Sequence, residues 1–204
     1  MLFRFIIALM FFVQAKPLQA MIDFQIMGGY RDATFELGDE NYDLATTELG
    51  AALHLSPFKK VPIAFGISYL YLMSEDDDTE QGDTELNIDD FGGYEVGAEI
   101  YVWHDIKLGK TFTIHPYLKG SYIFSGEYRF DIADEKAEYD VNGWYVALGI
   151  GDNGIFLPSI SGLIEVGIPI MNLYNPRIND IEVDPVEDLK YKAWDLKFVV
   201  EFKI

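Results

Sequence analysis

Few residues of this chain are of types that do chemistry. The histidines are His54, His104 and His115, with Ser56 two residues after the first. A general base needs hydrogen-bond reach to a nucleophile and access to substrate, and neither follows from this spacing. The densest local feature is SEDDDTEQGDTELNIDD at 74–90, whose carboxylates are oxygen ligands of the kind calcium and magnesium prefer. Placing Gly82 at the glycine position of a calcium loop puts Thr79 and Gln81 at ligand positions, and Ile88 where a glutamate is required. The motif fails, so the run is expected to be a solvated loop. No metal, cofactor or catalytic residue is predicted. The chain has no cysteine, which excludes thiolate metal sites, disulfides and a cysteine nucleophile. A formal charge of −19 over 204 residues argues against nucleic-acid binding, which needs basic surface to neutralise phosphates.

The elements that must position these residues share one pattern. Ile22, Phe24, Ile26, Gly28 and Tyr30 alternate with polar or small neighbours, and so do Leu49, Ala51, Leu53 and Leu55. The same period of two runs through 63–73, 94–102, 112–124, 144–150, 160–170 and 194–204. Eight strands are predicted, with no helical period in the mature chain. Before them, MLFRFIIALMFFVQAKPLQA has Arg4, an apolar run from Phe5 to Val13 and a polar end. That run is about half of the ~20 residues a spanning helix needs. Residues 1–20 are expected to be a signal peptide, cleaved after Ala20 or Ala15, leaving one domain over 21–204.

Alternation alone does not say which face meets water. The apolar face carries no charge in any of the eight strands, whereas the opposite face is rich in Gly29, Gly50, Ala52, Ala64, Gly66, Ser68, Gly97 and Ala147. Small residues suit the cramped interior of a narrow barrel. Aromatics fall near strand ends on the apolar face: Tyr71, Tyr94, Phe112, Phe124, Trp144 and Trp194. Amphipathic rings at a membrane–water boundary give that arrangement. The apolar face is therefore expected to look outward to lipid, and the fold to be an all-β, eight-stranded antiparallel up-and-down transmembrane β-barrel. Connections at 56–62, 104–110 and 151–158 read as short turns; those at 37–43, 74–90, 131–140 and 175–188 read as long loops. Strand parity puts the short turns at one end with both termini.

With that architecture the chain resembles the small eight-stranded outer-membrane β-barrels of Gram-negative bacteria, the OmpA/OmpX-like group. The resemblance spans residues 22–204 and rests on no motif. It implies an outer-membrane location with long loops extracellular and termini periplasmic, contact with lipid and lipopolysaccharide, and recognition of the C-terminal strand by the barrel-assembly machinery. Such proteins usually end in an aromatic residue; here Phe198, Val200 and Phe202 fit the outward set, but the last residue is Ile204.

Inside such a barrel, parity places Arg31, Glu48, Glu95, Glu99, Lys119, Glu165, Lys197 and Glu201. Buried charges are costly unless paired, so these are expected to form an ion-pair network, either a structural plug or a gate. The expected role is non-enzymatic: membrane integrity, or surface interaction through acidic extracellular loops with a partner the sequence does not name. The alternatives are a narrow ion or small-solute channel gated by those pairs, and a lipid A-modifying enzyme.

Overall fold

The structure, a computed structural model, describes residues 21–37, 40–57, 61–74, 88–108, 112–132, 135–152, 159–179, 181–183 and 190–203. The expected signal peptide (1–20), residues 75–87 of the acidic loop and Ile204 lie outside these.

Eight long strands form the staves: β1 (Met21–Leu37), β2 (Glu40–Ser56), β3 (Ile63–Ser74), β4 (Ile88–Trp103), β6 (Phe112–Ile132), β7 (Glu135–Asp152), β8 (Ile160–Ile178) and β10 (Lys190–Lys203). Each pairs antiparallel with the next, and β10 pairs with both β1 and β8, so the sheet closes into an eight-stranded barrel. Closure leaves every stave a partner on both sides, which is what allows a sheet to sit in hydrocarbon. Two short strands add to it: β5 (Ile106–Leu108) folds back on the start of β6, and β9 (Ile181–Glu182) on the end of β8.

The alternation is realised in burial. Along β8, Leu163, Glu165, Gly167, Pro169 and Met171 are buried, while Ile164, Val166, Ile168 and Ile170 are 47–60% exposed. Along β10, Asp195, Lys197, Val199 and Glu201 are buried between exposed Trp194, Phe198 and Val200. A chain that buries its glutamates and exposes its isoleucines is folded for an apolar surrounding.

Two connections read as long loops are mostly strand. Residues 37–43 lie in β1 and β2 except for 38–39, and 131–140 in β6 and β7 except for 133–134. In the second, Glu138 and Asp140 alternate with Ala137 and Tyr139, which pack against the inward apolar cluster, and both segments are the extended ends of hairpins. The turn at 104–110 contains β5, and the loop at 175–188 contains the end of β8 and β9. In β6 a bulge inserts Phe124: Val96 lies opposite Ser125 and Gly97 opposite Ile123. Parity flips there, so that Gly126, Tyr128 and Phe130 point inward.

Candidate functional site

The staves differ in character along their length. Around the middle of the barrel the outward residues form an apolar belt: Ile26, Leu53, Ile67, Ile100, Leu118, Leu148, Val166 and Phe198 are all exposed. At its upper boundary, toward the β1–β2 hairpin, aromatics pair across strands. Tyr122 and Trp144 have ring centroids 4.9 Å apart, Tyr30 and Trp194 6.2 Å, and Tyr69 and Tyr94 6.2 Å. Tyr71, Phe124, Trp144 and Trp194 are exposed and Tyr94 is half-buried; the Phe112 side chain lies outside the described residues.

Above this girdle the polarity inverts. Outward positions become Asp32, Thr34, Glu36, Asp43, Arg129, Glu138, Asp140, Asn142, Asn172 and Lys192, while the inward ones become Ala33, Phe35, Leu44, Leu72, Phe91, Tyr128, Phe130, Val141 and Met171, packed as one cluster. Phe35 meets Phe130 edge-on at 4.9 Å, and Phe91 lies 5.0 Å from Phe130. The upper barrel is thus built like a water-soluble protein, apolar inside and polar outside. Its outer wall is held by charge pairs. Arg129 meets Glu138 at 2.7 Å, Arg177 meets Asp140 at 3.2 Å and Glu127 at 3.3 Å, and Thr34 donates to Asp43 at 2.7 Å. Lys192 pairs with Glu36, and this hydrogen bond leads the effects that hold the Glu36 carboxyl below its ordinary range. The Glu36–Lys192 contribution to stability is therefore full above the ordinary glutamate range and lost as pH falls through the lowered value. Lys192→Gln is expected to return Glu36 to the ordinary range in a carboxyl-detected NMR titration; no change would mean that the pair does not persist in solution.

Below the aromatic cluster lies the ionic layer. Arg31, fully buried, reaches Glu48 at 2.6 Å, Glu95 at 2.5 Å and Asp195 at 3.6 Å, and donates to the hydroxyls of Tyr128 and Tyr191 at 3.0 and 3.3 Å. The Tyr128 hydroxyl in turn donates to Glu95 at 2.6 Å. Lys197 meets Asp195 at 2.9 Å and Glu48 at 3.4 Å, and Lys119 meets Glu165 at 2.6 Å and Glu99 at 4.0 Å. Tyr145 joins the groups. Its hydroxyl lies 2.7 Å from Glu165 and 2.8 Å from Asp195, and the Lys197 and Lys119 ammonium groups sit 4.1 and 5.2 Å from its ring centroid. Nearer the termini, His54 Nε2 lies 2.7 Å from Glu99, Gln25 donates to Glu201 at 3.0 Å, and Lys203 lies 3.4 Å from Glu201. A cavity of ≈ 20 Å³ touches Ser68, Glu95, Glu99, Lys119, Ser121 and Lys197, room for about one water molecule.

All eight charged residues assigned inward by parity are thus at most 5% exposed, and seven share contacts around Arg31, Lys119 and Lys197; Glu201 sits apart with Gln25 and Lys203. Missing from that set were Asp195, whose inward parity was legible, and Tyr117, Tyr128, Tyr145 and Tyr191, which supply hydroxyls to the network. Two of the tyrosines lie over glycines. A Cβ on Gly167 would occupy the Tyr145 hydroxyl, and one on Gly149 the Tyr117 ring. Both phenols are buried and tied to Glu165, so neither can swing away freely. Gly167→Ala is expected to cost on the order of 1–3 kcal/mol, read as a lower urea midpoint; an unchanged midpoint would mean that the Tyr145 bridge is not fixed. Of the histidines, His54 and His115 are buried in the lumen near the chain termini and His104 is exposed; Ser56 is buried on the same face as His54.

No protein-family model matches the sequence, and no curated protein matches it. Among solved structures, the chain is similar to the crystal structure of Neisserial surface protein A, with a TM-score of 0.53 and 12% identity, over 89% of this chain and 97% of that one. The fold is that of the small eight-stranded outer-membrane β-barrels. At that identity the likeness is one of fold. Matches at lower TM-scores include Ail, the attachment invasion locus protein of Yersinia pestis (0.44, 13% identity, 88% and 98% covered), and a major outer membrane protein of Thermus thermophilus (0.45, 11%, 90% and 99%).

Proposed function

We propose that this chain is a non-enzymatic outer-membrane barrel, exported by its N-terminal segment, that anchors in lipid and projects its upper part from the cell for membrane integrity or surface interaction. The inversion of polarity at the aromatic girdle carries this reading. Below it Ile164, Leu148 and Phe198 face outward, and above it Asn142, Asn172 and Lys192 do. A cylinder that is apolar outside for half its length and polar outside for the rest is shaped to stand half in a bilayer. The projecting wall, with the acidic segment 74–90 at the same end, is then what another surface meets. The chain has no cysteine, so single cysteines report topology cleanly. In intact cells a membrane-impermeant maleimide is expected to label Asn172→Cys and not Ile164→Cys. Labelling of Asn172→Cys only after lysis would overturn the orientation. Deleting residues 75–87 is expected to keep the heat-resistant folded band while losing an adhesion or resistance phenotype, and a retained phenotype would count against a role for that loop.

A second reading is a narrow channel, favoured by the water-sized cavity among Glu95, Glu99, Lys119 and Lys197. An eight-stranded barrel has an interior that side chains fill, and here aromatic residues pack above the charges. Planar bilayers are therefore expected to stay electrically silent. Steady single-channel currents altered by Lys119→Glu would favour the channel.

A further inference from the structure

The charges of the ion layer do not balance. Among the described residues it sets five carboxylates, Glu48, Glu95, Glu99, Glu165 and Asp195, against three permanent cations, Arg31, Lys119 and Lys197, all at most 5% exposed. Close contacts commit the cations. Arg31 lies between Glu48 at 2.6 Å and Glu95 at 2.5 Å, Lys119 is on Glu165 at 2.6 Å, and Lys197 is on Asp195 at 2.9 Å and Glu48 at 3.4 Å. Glu99 is left out. Among the described residues its one lysine or arginine contact is Lys119 at 4.0 Å, and its short contact is His54 Nε2 at 2.7 Å.

The ring of His54 is poorly placed to supply the missing charge. A neutral imidazole that donates from Nε2 to Glu99 leaves only a lone pair at Nδ1. An imidazolium would carry a second N–H there, and that nitrogen is buried without a hydrogen-bond partner. Asp23, the register partner of His54 on β1, makes no hydrogen bond to it at Nδ1. Glu99 is therefore a carboxylate held by dipoles in a lumen where a lone charge is costly.

Glu99 lines the cavity of ≈ 20 Å³, and two hydroxyls reach the same space. Ser68 on β3 is paired with Gly97 of β4, and Ser121 on β6 with Glu99. A Cβ on Gly97 would fall 2.6 Å from Ser121 Oγ and 3.2 Å from Ser68 Oγ, so both hydroxyls converge where this strand has no side chain. Ser121 is 1% exposed, and its Oγ has no hydrogen-bond partner. We propose that this cavity binds one small monovalent cation, of about the size of sodium, held by the Glu99 carboxylate and the Ser68 and Ser121 hydroxyls. All three offer oxygen, the donor that hard cations take. Calcium takes about six to eight oxygens and magnesium keeps several waters, more than a space for about one water admits. No three His, Asp or Glu side chains among the described residues converge as a multivalent metal would need. An anion would add to the excess of carboxylates, and a water would leave Glu99 uncompensated. Lys119 and Lys197 also border the cavity, but Glu165, Asp195 and Glu48 hold them, and their presence limits the site to a single positive charge.

The test is a linkage measurement. The full chain is refolded into phosphatidylcholine vesicles, and its urea unfolding is followed by the heat-resistant folded band at one pH and one total ionic strength. Sodium chloride is replaced stepwise by the chloride of N-methylglucamine, a cation too large for the cavity. At fixed urea the folded-to-unfolded ratio is expected to rise roughly tenfold for each tenfold of sodium above its dissociation constant. The same ratio at every sodium concentration would overturn the proposal and leave the cavity to water. Gly97→Ala puts a methyl into the cavity, Ser121→Ala removes a ligand and Glu99→Gln removes the charge. Each is expected to lose the sodium dependence or reduce it at least several-fold. The readout is the slope with sodium, so a variant of lower stability still reports, and Ser121→Ala, the mildest change, serves if another fails to fold. A full slope retained in Ser121→Ala and Glu99→Gln would place the ion elsewhere, and would also overturn the site.

Discussion

Arg31→Met is expected to destabilise the barrel by about 3–5 kcal/mol, the usual cost of removing one partner from a buried ion pair. Arg31 is the one cation in contact with Glu95 among the described residues, and it shares Glu48 with Lys197. Without it, Glu95 keeps only the Tyr128 hydroxyl, and the layer holds Glu48, Glu95, Glu99, Glu165 and Asp195 against Lys119 and Lys197. Excess negative charge in a water-poor interior is far more costly than at a surface. The measurement is a urea titration of the folded band, or of tryptophan fluorescence, in vesicles of fixed composition. Adding Glu95→Gln to Arg31→Met removes the stranded charge and is expected to recover much of the loss. A single variant within about 1 kcal/mol of the parent would show that Arg31 is not what compensates these carboxylates. Equal instability in the double variant would shift the explanation to lost packing around Tyr128 and Tyr191.

Leu148→Arg is expected to cost about 2–4 kcal/mol in a bilayer, while Asn142→Arg three outward positions higher on β7 costs about 0–1 kcal/mol. Leu148 is 67% exposed in the middle of the belt, with Trp144 marking the upper boundary between it and Asn142. In a water-soluble barrel the order would change: an arginine at an exposed position costs little, and both variants would behave alike. Comparing the two in vesicles therefore tests the direction of the apolar face by energy rather than by labelling. Equal and small effects would turn the barrel outside-in.

The fold was legible because its signal is local. In a strand, period two sends neighbouring side chains to opposite faces whatever the partner, so Glu165 between Ile164 and Val166 is already assigned once β8 is recognised. The absence of charge from one face, and the glycines and alanines on the other, then oriented that face toward lipid. The same rule placed Arg31, Glu48, Glu95, Glu99, Lys119, Glu165, Lys197 and Glu201 on the inward side, where the structure has them buried. Strand ends were harder. Residues 37–43 and 131–140 are polar enough to look like loops, because above the girdle the outward positions meet water. The inward Ala33, Phe35, Leu44, Phe130 and Val141 were the available signal, an alternation whose polarity had reversed.

By itself, then, the sequence determined the strand period, the face that meets lipid and which charges lie inside. Only the tertiary structure decided who pairs with whom, because partners in a closed cylinder are set by its stagger across staves far apart in sequence. Arg31 meets Glu95 across 64 residues and Tyr128 across 97. Tyr128 points inward only because Phe124 is bulged out of register. The early end of the β8–β10 ladder is of the same kind. Pro169, Asn175 and Pro176 mark a weak ladder edge in the sequence, but closure decides which neighbour loses the pairing. Here the side chains of β8 bond toward β7 and those of β10 toward β1, and the ladder between them ends at Gly167–Asp195.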